Sequence, residues 1–305
     1  MAMPRGRVLA VTSFLCLCSF LLIAGTAVRA AETVKQRLAS LSDNEFRQLQ
    51  DEARHGDPGA ATVLGSAYEE GIRVQQDVHE AVRWYRQGAA QGNVEVQHHL
   101  GLIYEEGRGI AQNLEEAASW YRKAALLGYA PSQCNLGNLY RDGRGMARDP
   151  EQAAKWYEVA ARQGDAQAQS NIGFMYNHGE GVVQNYATAV SWYRKAAEQG
   201  FSIAQRNLGV MYALGQGVVR NEQEAMRWFQ TAAGQGLSRA LVNEAILYMK
   251  GTQIPRDYSQ AYSLLLQAVK SGEKAAQPLL KQCQSHLQAE GTTGRTETAA
   301  AHHAH

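Results

Sequence analysis

Two short motifs carry the residue types of a serine nucleophile and its helpers. Residues 42–44 spell Ser-Asp-Asn, and residues 271–274 spell Ser-Gly-Glu-Lys. Both patterns occur in penicillin-recognising enzymes, where a serine attacks the lactam carbonyl. Here the order of the two motifs is reversed, and no Lys-Thr-Gly follows them. Catalytic groups must lie within hydrogen-bond reach of one another, so we predict that neither motif supplies a catalytic residue.

Histidine is the other residue type that could do chemistry. His302, His303 and His305 lie at the very end of the sequence, and His98 is followed directly by His99. Adjacent residues point about 100° apart on a helix, which is a poor arrangement for a shared metal ion. The tail histidines belong to a stretch without an apolar pattern, so we expect them to be solvated. We therefore predict no metal site and no cofactor.

The charge balance excludes another class of function. The chain has 305 residues, with 30 Lys and Arg against 29 Asp and Glu. A protein that binds nucleic acid through its overall charge carries a basic excess, and this chain does not. The hydrophobic fraction of 45% is enough to build a core. We expect a folded protein that does not bind nucleic acid.

The first thirty residues have the layout of a secretory signal peptide. Arg5 and Arg7 precede an uncharged, mostly apolar run over residues 8–25, and the small residues that suit cleavage end at Ala30. We predict a signal peptide over 1–30 and export to the periplasm or beyond, since the lack of any Asn-x-Ser/Thr acceptor fits a Gram-negative envelope. The alternative is an uncleaved N-terminal membrane anchor, because a run of about 18 residues is at the lower limit for a span.

Beyond that segment the sequence repeats every 36 residues without insertion. Glycine recurs at this step from Gly56 to Gly272. The same step separates the tryptophans and one tyrosine of each repeat, which we assign as structural: Trp84, Trp120, Trp156, Trp192 and Trp228, with Tyr68, Tyr104, Tyr140, Tyr176, Tyr212 and Tyr248. A fixed period of this length is the signature of a solenoid.

Each repeat is predicted to form two helices, here called A and B, with position 1 at the first glycine. Apolar or small residues fall at positions 5, 9, 12 and 13, and then at 26, 29, 30, 33 and 34, which are helical spacings. Position 22 is always Asp or Asn, and five of the six repeats have Glu or Gln at position 25, so we predict capping boxes. Large residues such as Trp120 and Tyr121 should face small ones such as Gly101.

The runs over residues 135–145 and 192–197 carry a family resemblance. Asn-Leu-Gly-Asn-Leu-Tyr-Arg-Asp-Gly-Arg-Gly and Trp-Tyr-Arg-Lys-Ala-Ala resemble the Sel1-like repeat, a relative of the tetratricopeptide repeat. The resemblance implies an all-α protein, a right-handed α/α solenoid that mediates protein–protein interaction, often in the bacterial envelope. The sixth repeat departs from the pattern at Glu244, Gln253 and Leu264-Leu265, as terminal repeats often do.

These signals divide the chain into five parts. A signal peptide over 1–30 is followed by capping helices over 31–55, and a closing helix over 272–290 is followed by an unstructured tail over 291–305. The six repeats between them occupy 56–91, 92–127, 128–163, 164–199, 200–235 and 236–271.

A partner is expected on the concave surface that neighbouring A helices line. Positions 4, 8, 11 and 15 share one face of helix A, and its candidate binding residues are His99, Asn135, Asn171, Asn207 and Asn243 at position 8, with Leu102, Asn138, Phe174 and Val210 at position 11. Amides could bind a peptide backbone, and the variable position 11 could read its side chains. The alternative is that the side chains at position 8 only join one repeat to the next.

Repeats 1 and 2 are acidic and repeats 5 and 6 basic, so a partner segment could lie with its basic end toward Glu69, Glu70, Glu105 and Glu106. We predict a non-enzymatic scaffold or adaptor that binds a protein or an extended peptide. An envelope β-lactamase or peptidoglycan-related enzyme and a secreted factor that contacts a host are the alternatives. The sequence does not give the oligomeric state.

Overall fold

The computed structural model describes residues 34–301, with side chains through residue 289, and this stretch contains helices, turns and loops but no strand. Residues 34–40 form α1. The following helices are α2 (Asp43–Arg54), α3 (Pro58–Glu70), α4 (Val78–Ala89), α5 (Val94–Glu106), α6 (Leu114–Leu126), α7 (Ala130–Asp142), α8 (Pro150–Arg162), α9 (Ala166–His178), α10 (Tyr186–Glu198), α11 (Ser202–Leu214), α12 (Glu222–Gly234), α13 (Ser238–Lys250), α14 (Tyr258–Lys270) and α15 (Ala276–Ala301). The A helices are therefore α3, α5, α7, α9, α11 and α13.

The chain divides into two compact units, and the boundary falls within α8. The N-terminal unit ends at Trp156, and the C-terminal unit begins at Tyr157. Each unit is built from helix pairs in which an A helix packs against the B helix that follows it. Side chains from the next repeat complete the core of each pair, so the repeats are not independent.

The predicted caps at position 22 are present in all six repeats. The side-chain oxygen at position 22 accepts from the backbone N–H at position 25, as between Asn113 and Glu116 at 3.0 Å and between Asp257 and Gln260 at 2.8 Å. Asp77, Asp149, Asn185 and Asn221 do the same. These bonds satisfy N–H groups that a helix start leaves without partners.

The side chains at position 25 do not make the predicted return bonds of the capping boxes. The N–H of the capping residue already donates to the carbonyl of the helix A tyrosine, as from Asn113 to Tyr104 at 2.9 Å. Glu116 reaches Arg86 instead, and Glu80 and Glu224 pair with arginines in their own helices. The box prediction was wrong here because the turn between the two helices has already satisfied the donor. A complete box occurs at the start of α2, between Ser42 and Glu45.

Close packing inside each repeat places a ring against a glycine. A Cβ built on Gly101 would overlap the Tyr121 ring, and one on Gly173 would lie 2.9 Å from the Tyr193 ring, so neither position has room for a side chain. The large residue that packs on the glycine, as predicted, is therefore the ring at position 30. Trp120 lies instead in a cluster with Ala81, Val82 and Tyr85 of the preceding repeat.

The tryptophans and helix A tyrosines connect successive cores. Trp84 joins the cluster of α1–α3, and Trp228 packs against the cluster of α10 and α11. Tyr104 packs against two neighbouring clusters, and Tyr212 does so in the C-terminal unit. Arginines of the preceding B helix donate to three of these hydroxyls, Arg86 to Tyr104, Arg122 to Tyr140 and Arg194 to Tyr212, at 2.8–2.9 Å. The tyrosines are accordingly half-buried rather than enclosed.

Two repeats lack glycine at position 18, and in each the residue at that position pairs with an acidic side chain. In repeats 2, 3 and 5 this glycine lies against the first turn of the preceding B helix, as Gly145 lies against Leu114. In repeat 1 the position is Arg73, which has a positive φ of 61° and pairs with Asp43. In repeat 6 it is Gln253, whose side chain accepts from the Glu222 N–H at 2.8 Å and whose own N–H donates to the Glu222 carboxylate at 2.9 Å.

The described ends of the chain are helical. Leu38, Phe46 and Leu49 of α1 and α2 are buried against α3, and Cys283 of α15 is buried in the last core cluster. Helix α15 continues to Ala301, whereas an unstructured tail was predicted from residue 291. It runs through two glycines and four threonines, which are poor helix formers, to three alanines, which are the best. The predicted signal peptide and the tail histidines at 302, 303 and 305 lie outside the described residues.

Candidate functional site: the face of the A helices

The side chains at position 8 of repeats 2, 3 and 5 meet the tyrosine at position 30 of the preceding repeat. His99 Nε2 lies 2.8 Å from Glu69 Oε2, and the Tyr85 hydroxyl donates to the same oxygen at 2.7 Å. The rings of Tyr85 and His99 meet edge to face at 5.1 Å. Arg108 lies 3.9 Å from the other Glu69 oxygen. His99 therefore links repeat 2 to repeat 1 through a carboxylate and a phenol.

The same arrangement recurs one repeat later with an amide in place of the imidazole. The Tyr121 hydroxyl donates to Glu105 at 2.7 Å, and Arg144 donates to the second Glu105 oxygen at 2.9 Å. Asn135 bonds to the Tyr121 hydroxyl. Helix A of repeat 3 is thereby held to the helix pair of repeat 2.

The electrostatics follow from these contacts. Burial raises the pKa of Glu69, but the hydrogen bond and charge of His99, the Tyr85 hydroxyl and Arg108 together hold that pKa below its ordinary value. Burial and the Glu69 charge raise the pKa of Tyr85, and burial and the Glu105 hydrogen bond raise the pKa of Tyr121. Both phenols stay protonated and donate at neutral pH.

In the C-terminal unit the side chains at position 8 have different neighbours. Asn207 bonds to the Tyr193 hydroxyl and accepts from Arg206 Nη1 at 3.1 Å. Asn243 faces a repeat in which position 30 is Phe229, which offers no hydroxyl. Among the described residues Asn243 is the amide at position 8 that lacks this partner. Asn171 is half-buried on α9.

The side chains at position 11 differ in exposure as well as in type. Phe174 is 38% exposed and stacks on His178 with ring centroids 4.0 Å apart. Leu102, Asn138 and Val210 are half-buried. Leu214, one helical turn beyond Val210, is 54% exposed. The A helices of the C-terminal unit thus present partly exposed apolar side chains, Phe174 and Leu214.

Two further ladders of side chains join the helices, and the sequence interpretation missed both. Position 6 is Gln97, Gln133, Gln169 and Gln205 in four repeats, and each is buried and donates to a helix B carbonyl at 3.0–3.2 Å. Gln199 and Gln235, at position 36, then donate to Gln169 and Gln205. The signal was present as a glutamine at a fixed step, although the apolar pattern drew attention away from it.

The two serine motifs are accounted for by helix ends. The Ser42 hydroxyl accepts from the Glu45 N–H and donates to the Glu45 carboxylate at 2.7 Å. Ser271 ends α14, and Glu273 pairs with Arg239. No three His, Cys, Asp or Glu side chains in the described part of the chain converge to hold a metal ion. None of the helices over 34–301 combines the length and apolarity that a membrane crossing requires.

Taken together, the stacked helix pairs and their shared cores define an α-solenoid repeat protein. The family model for the Sel1 repeat matches six times, over residues 58–93, 94–129, 130–165, 166–201, 202–237 and 238–273. The chain belongs to the Sel1-repeat family. Each matched repeat begins two residues after the glycine at position 1, and the period is again 36 residues.

Two solved structures show the same fold. One is c5321, a protective antigen of uropathogenic Escherichia coli that has an SLR fold. Its sequence is 36% identical to this chain, and the TM-score is 0.70 over 77% of this chain and 50% of that one. This chain thus spans half the length of that antigen. A Sel1 repeat protein from Oxalobacter formigenes is 30% identical, with a TM-score of 0.65 over 80% of this chain and 94% of that one. A comparison with curated proteins finds no match.

Proposed function

We propose that this Sel1-repeat protein is an exported, non-enzymatic scaffold or adaptor that binds an extended segment of a partner protein along the face of its A helices. The solenoid fold is typical of protein-interaction scaffolds. Export rests on the charge and apolar pattern of residues 1–30. Binding would use position 11 for side chains of the partner and position 15 for the edge of the site.

One observation carries this proposal. Phe174 is a large aromatic side chain that lies 38% exposed on an A helix, stacked on His178 and not folded into a core. Exposed aromatic residues in otherwise structural surroundings are frequent anchors of protein interfaces. The other side chains at position 11 vary from repeat to repeat, as expected of a surface that reads a sequence.

The contacts at position 8 change which residues should be tested. Asn135 and Asn207 already bond to tyrosines of the preceding repeat, so replacing them would disturb packing as well as binding. Phe174→Ala combined with His178→Ala removes the exposed pair without removing a helix cap. Val183→Ala is the matched control, because Val183 is 88% exposed in a loop of the same repeat.

The test is affinity capture on residues 31–305 from envelope and secreted fractions, followed by mass spectrometry. We expect a partner that the unchanged protein and Val183→Ala retain and that the double variant loses, with unchanged helical circular dichroism. A partner retained equally by all three would exclude the α9 face as the site. The absence of any captured partner would count against the scaffold function.

A secreted role in host contact is the second candidate. It is supported by the Escherichia coli relative, which is a protective antigen. Fractionation of the native bacterium into periplasm and medium distinguishes the two, since only a secreted protein accumulates outside the cell. For the enzymatic alternative, hydrolysis of a chromogenic β-lactam that disappears in Ser271→Ala would overturn the non-enzymatic assignment; we expect no hydrolysis.

A further inference from the structure

The charge of the A helices reverses between the two units. In the N-terminal unit the last turns of the A helices carry acidic residues, and each of these is engaged by a neighbouring base: Glu69 by His99 and Arg108, Glu70 by Lys35, Glu105 by Arg144, Glu106 by Arg108 and Asp142 by Arg141. In the C-terminal unit α11 and α13 carry Arg206, Arg239 and Lys250. A single acidic residue, Glu244, lies on these two helices, and it is buried.

Arg206 is a half-buried cation that forms no ion pair with a carboxylate among the described residues. Its Nη1 donates to the Asn207 amide at 3.1 Å. Its Nε is buried and has no hydrogen-bond partner among the described residues. The charge of Glu273 acts on Arg206, but Glu273 forms its ion pair with Arg239 at 3.2 Å. A buried donor without a partner costs free energy, and more so on a charged group.

The surroundings of Arg206 disfavour its charge as they stand. Burial, and next the positive charge of Arg239, lower the pKa of Arg206 from its ordinary value. An added carboxylate would accept from the terminal nitrogens of the guanidinium, which are not among its buried atoms without a partner, and would oppose the repulsion between the two guanidinium groups. Such charge-assisted bonds are shorter and stronger than neutral ones.

The residues beside Arg206 are open to an extended chain. Ile203, Arg206, Asn207, Val210 and Leu214 follow one another along one side of α11 at helical spacing. We call this side, with Arg239, Asn243, Ile246 and Lys250 of α13, the α11–α13 face. Ile203 is 49% exposed and Leu214 is 54% exposed. The Asn243 amide, freed by Phe229, can donate to and accept from a peptide backbone.

We propose that the α11–α13 face binds an extended acidic peptide whose carboxylate lies on Arg206 and whose backbone bonds to Asn243. The proposal rests on the proposed function and names the chemistry of the bound segment. Aliphatic side chains of the peptide contact Ile203 and Leu214. The carboxylate stays ionised and no covalent step is involved.

The experiment probes an array of random peptides with the labelled full chain and measures the affinity of the strongest peptides by fluorescence anisotropy. We expect the bound peptides to be enriched in Asp and Glu. Arg206→Gln should weaken an acidic peptide about tenfold or more, the loss of one charge-assisted bond. Asn243→Ala, which removes no internal hydrogen bond, should weaken it several-fold. Added salt should also weaken binding.

Arg227→Gln is the matched control, because Arg227 is exposed on helix B of the same repeat and pairs with Glu224. It should leave the affinity unchanged. Bound peptides without acidic enrichment would overturn the inference, and so would an acidic peptide that Arg206→Gln binds as tightly as the unchanged chain does. In either case the scaffold function would stand if Phe174→Ala abolished binding. An array with no bound peptide would overturn both. Melting curves of all variants show whether folding is unchanged.

Discussion

The A helices of the two units differ in what the side chains at position 8 contact. In the N-terminal unit His99 contacts Glu69 and Asn135 contacts the Tyr121 hydroxyl, and each glutamate also binds a tyrosine hydroxyl and lies close to an arginine. In the last repeats of the C-terminal unit Phe229 removes the hydroxyl, position 14 is Ala213 instead of glutamate, and Arg206 lacks an acidic partner. The same helix face is therefore internally satisfied in the N-terminal unit, whereas in the C-terminal unit Asn243 of α13 lacks the tyrosine hydroxyl. Ligand binding is expected where the internal bonds are missing.

The largest expected effect comes from removing the ring at position 30 in each unit. Tyr121 and Phe229 are both fully buried against a glycine. Each change to alanine should lower the free energy of unfolding by about 3–5 kcal/mol. Tyr121→Ala should cost about 1–2 kcal/mol more, because Glu105 Oε2 and the Asn135 amide both lose the Tyr121 hydroxyl, although Arg144 still donates to the other Glu105 oxygen. Urea denaturation followed by circular dichroism measures the loss, and hydrogen exchange assigns it to a unit.

Leu126→Ala is the control for this comparison, since Leu126 is 71% exposed, and it should change little. Equal losses for the two ring variants would show that the tyrosine network adds nothing to the packing of the ring.

Mild acid should affect the N-terminal unit through His98. Burial, then the charge of His99, lowers the His98 pKa to about 4, and its Nδ1 lies 2.9 Å from Ser132 Oγ. Between pH 6.5 and 4 the unfolded chain binds a proton that the folded chain does not, so stability falls as the pH falls through this window, by at most about 3 kcal/mol. Hydrogen exchange at pH 7 and pH 5, corrected for intrinsic rates, should show the loss.

His98→Ser copies Ser170, the residue at the same position of repeat 4. It should remove most of the pH dependence of the N-terminal unit in this range. Unchanged pH dependence in that variant would assign the effect to other groups, such as the Glu69–His99 pair.

Stronger acid should affect the C-terminal unit through Glu222. This carboxylate is 1% exposed and accepts from Arg220, Thr252 and the Gln253 N–H. Although burial raises its pKa, these bonds lower it to about 2. The stabilisation is present above about pH 4.5 and is lost as the pH falls toward 2. Glu222→Gln should cost about 1.5–3 kcal/mol at pH 7 by urea denaturation.

Glu224→Gln, a nearby change on the surface of the same helix, is the control and should change stability by a few tenths of a kcal/mol. A Glu222→Gln protein as stable as the original would mean that Thr252 and Gln253 hold the junction of repeats 5 and 6 without the charge.

The smallest expected effect separates the two roles of position 8. Asn135→Ala should cost about 1 kcal/mol because it breaks the bond to Tyr121, whereas Asn243→Ala should be within about 0.5 kcal/mol of the original. Thermal denaturation of the two variants gives the difference. Equal costs would indicate that Asn243 also has a structural role, and would count against its availability to a ligand.

Much of the fold followed from spacing in the sequence. The repeat period located the helix pairs, and positions 16 and 22 marked helix ends that the structure confirms, as at Gly107 and Asn113. The close approach of a large ring to a small residue was also predictable, although the ring is Tyr121 rather than Trp120. Helix signals are local, so they can be interpreted without knowing the neighbours.

What the tertiary structure decided is the partner of each polar side chain. A glutamate at position 25 predicts a capping box, but the turn from helix A had already satisfied the donor. The asparagines at position 8 look alike in the sequence, yet Asn135 bonds to Tyr121 and Asn243 faces Phe229. In the sequence Arg206 resembles an ordinary surface cation, but in the structure its Nε is buried and has no acceptor among the described residues. Sequence spacing determines which helix face a residue occupies, while its hydrogen bonds depend on side chains from the adjoining repeat.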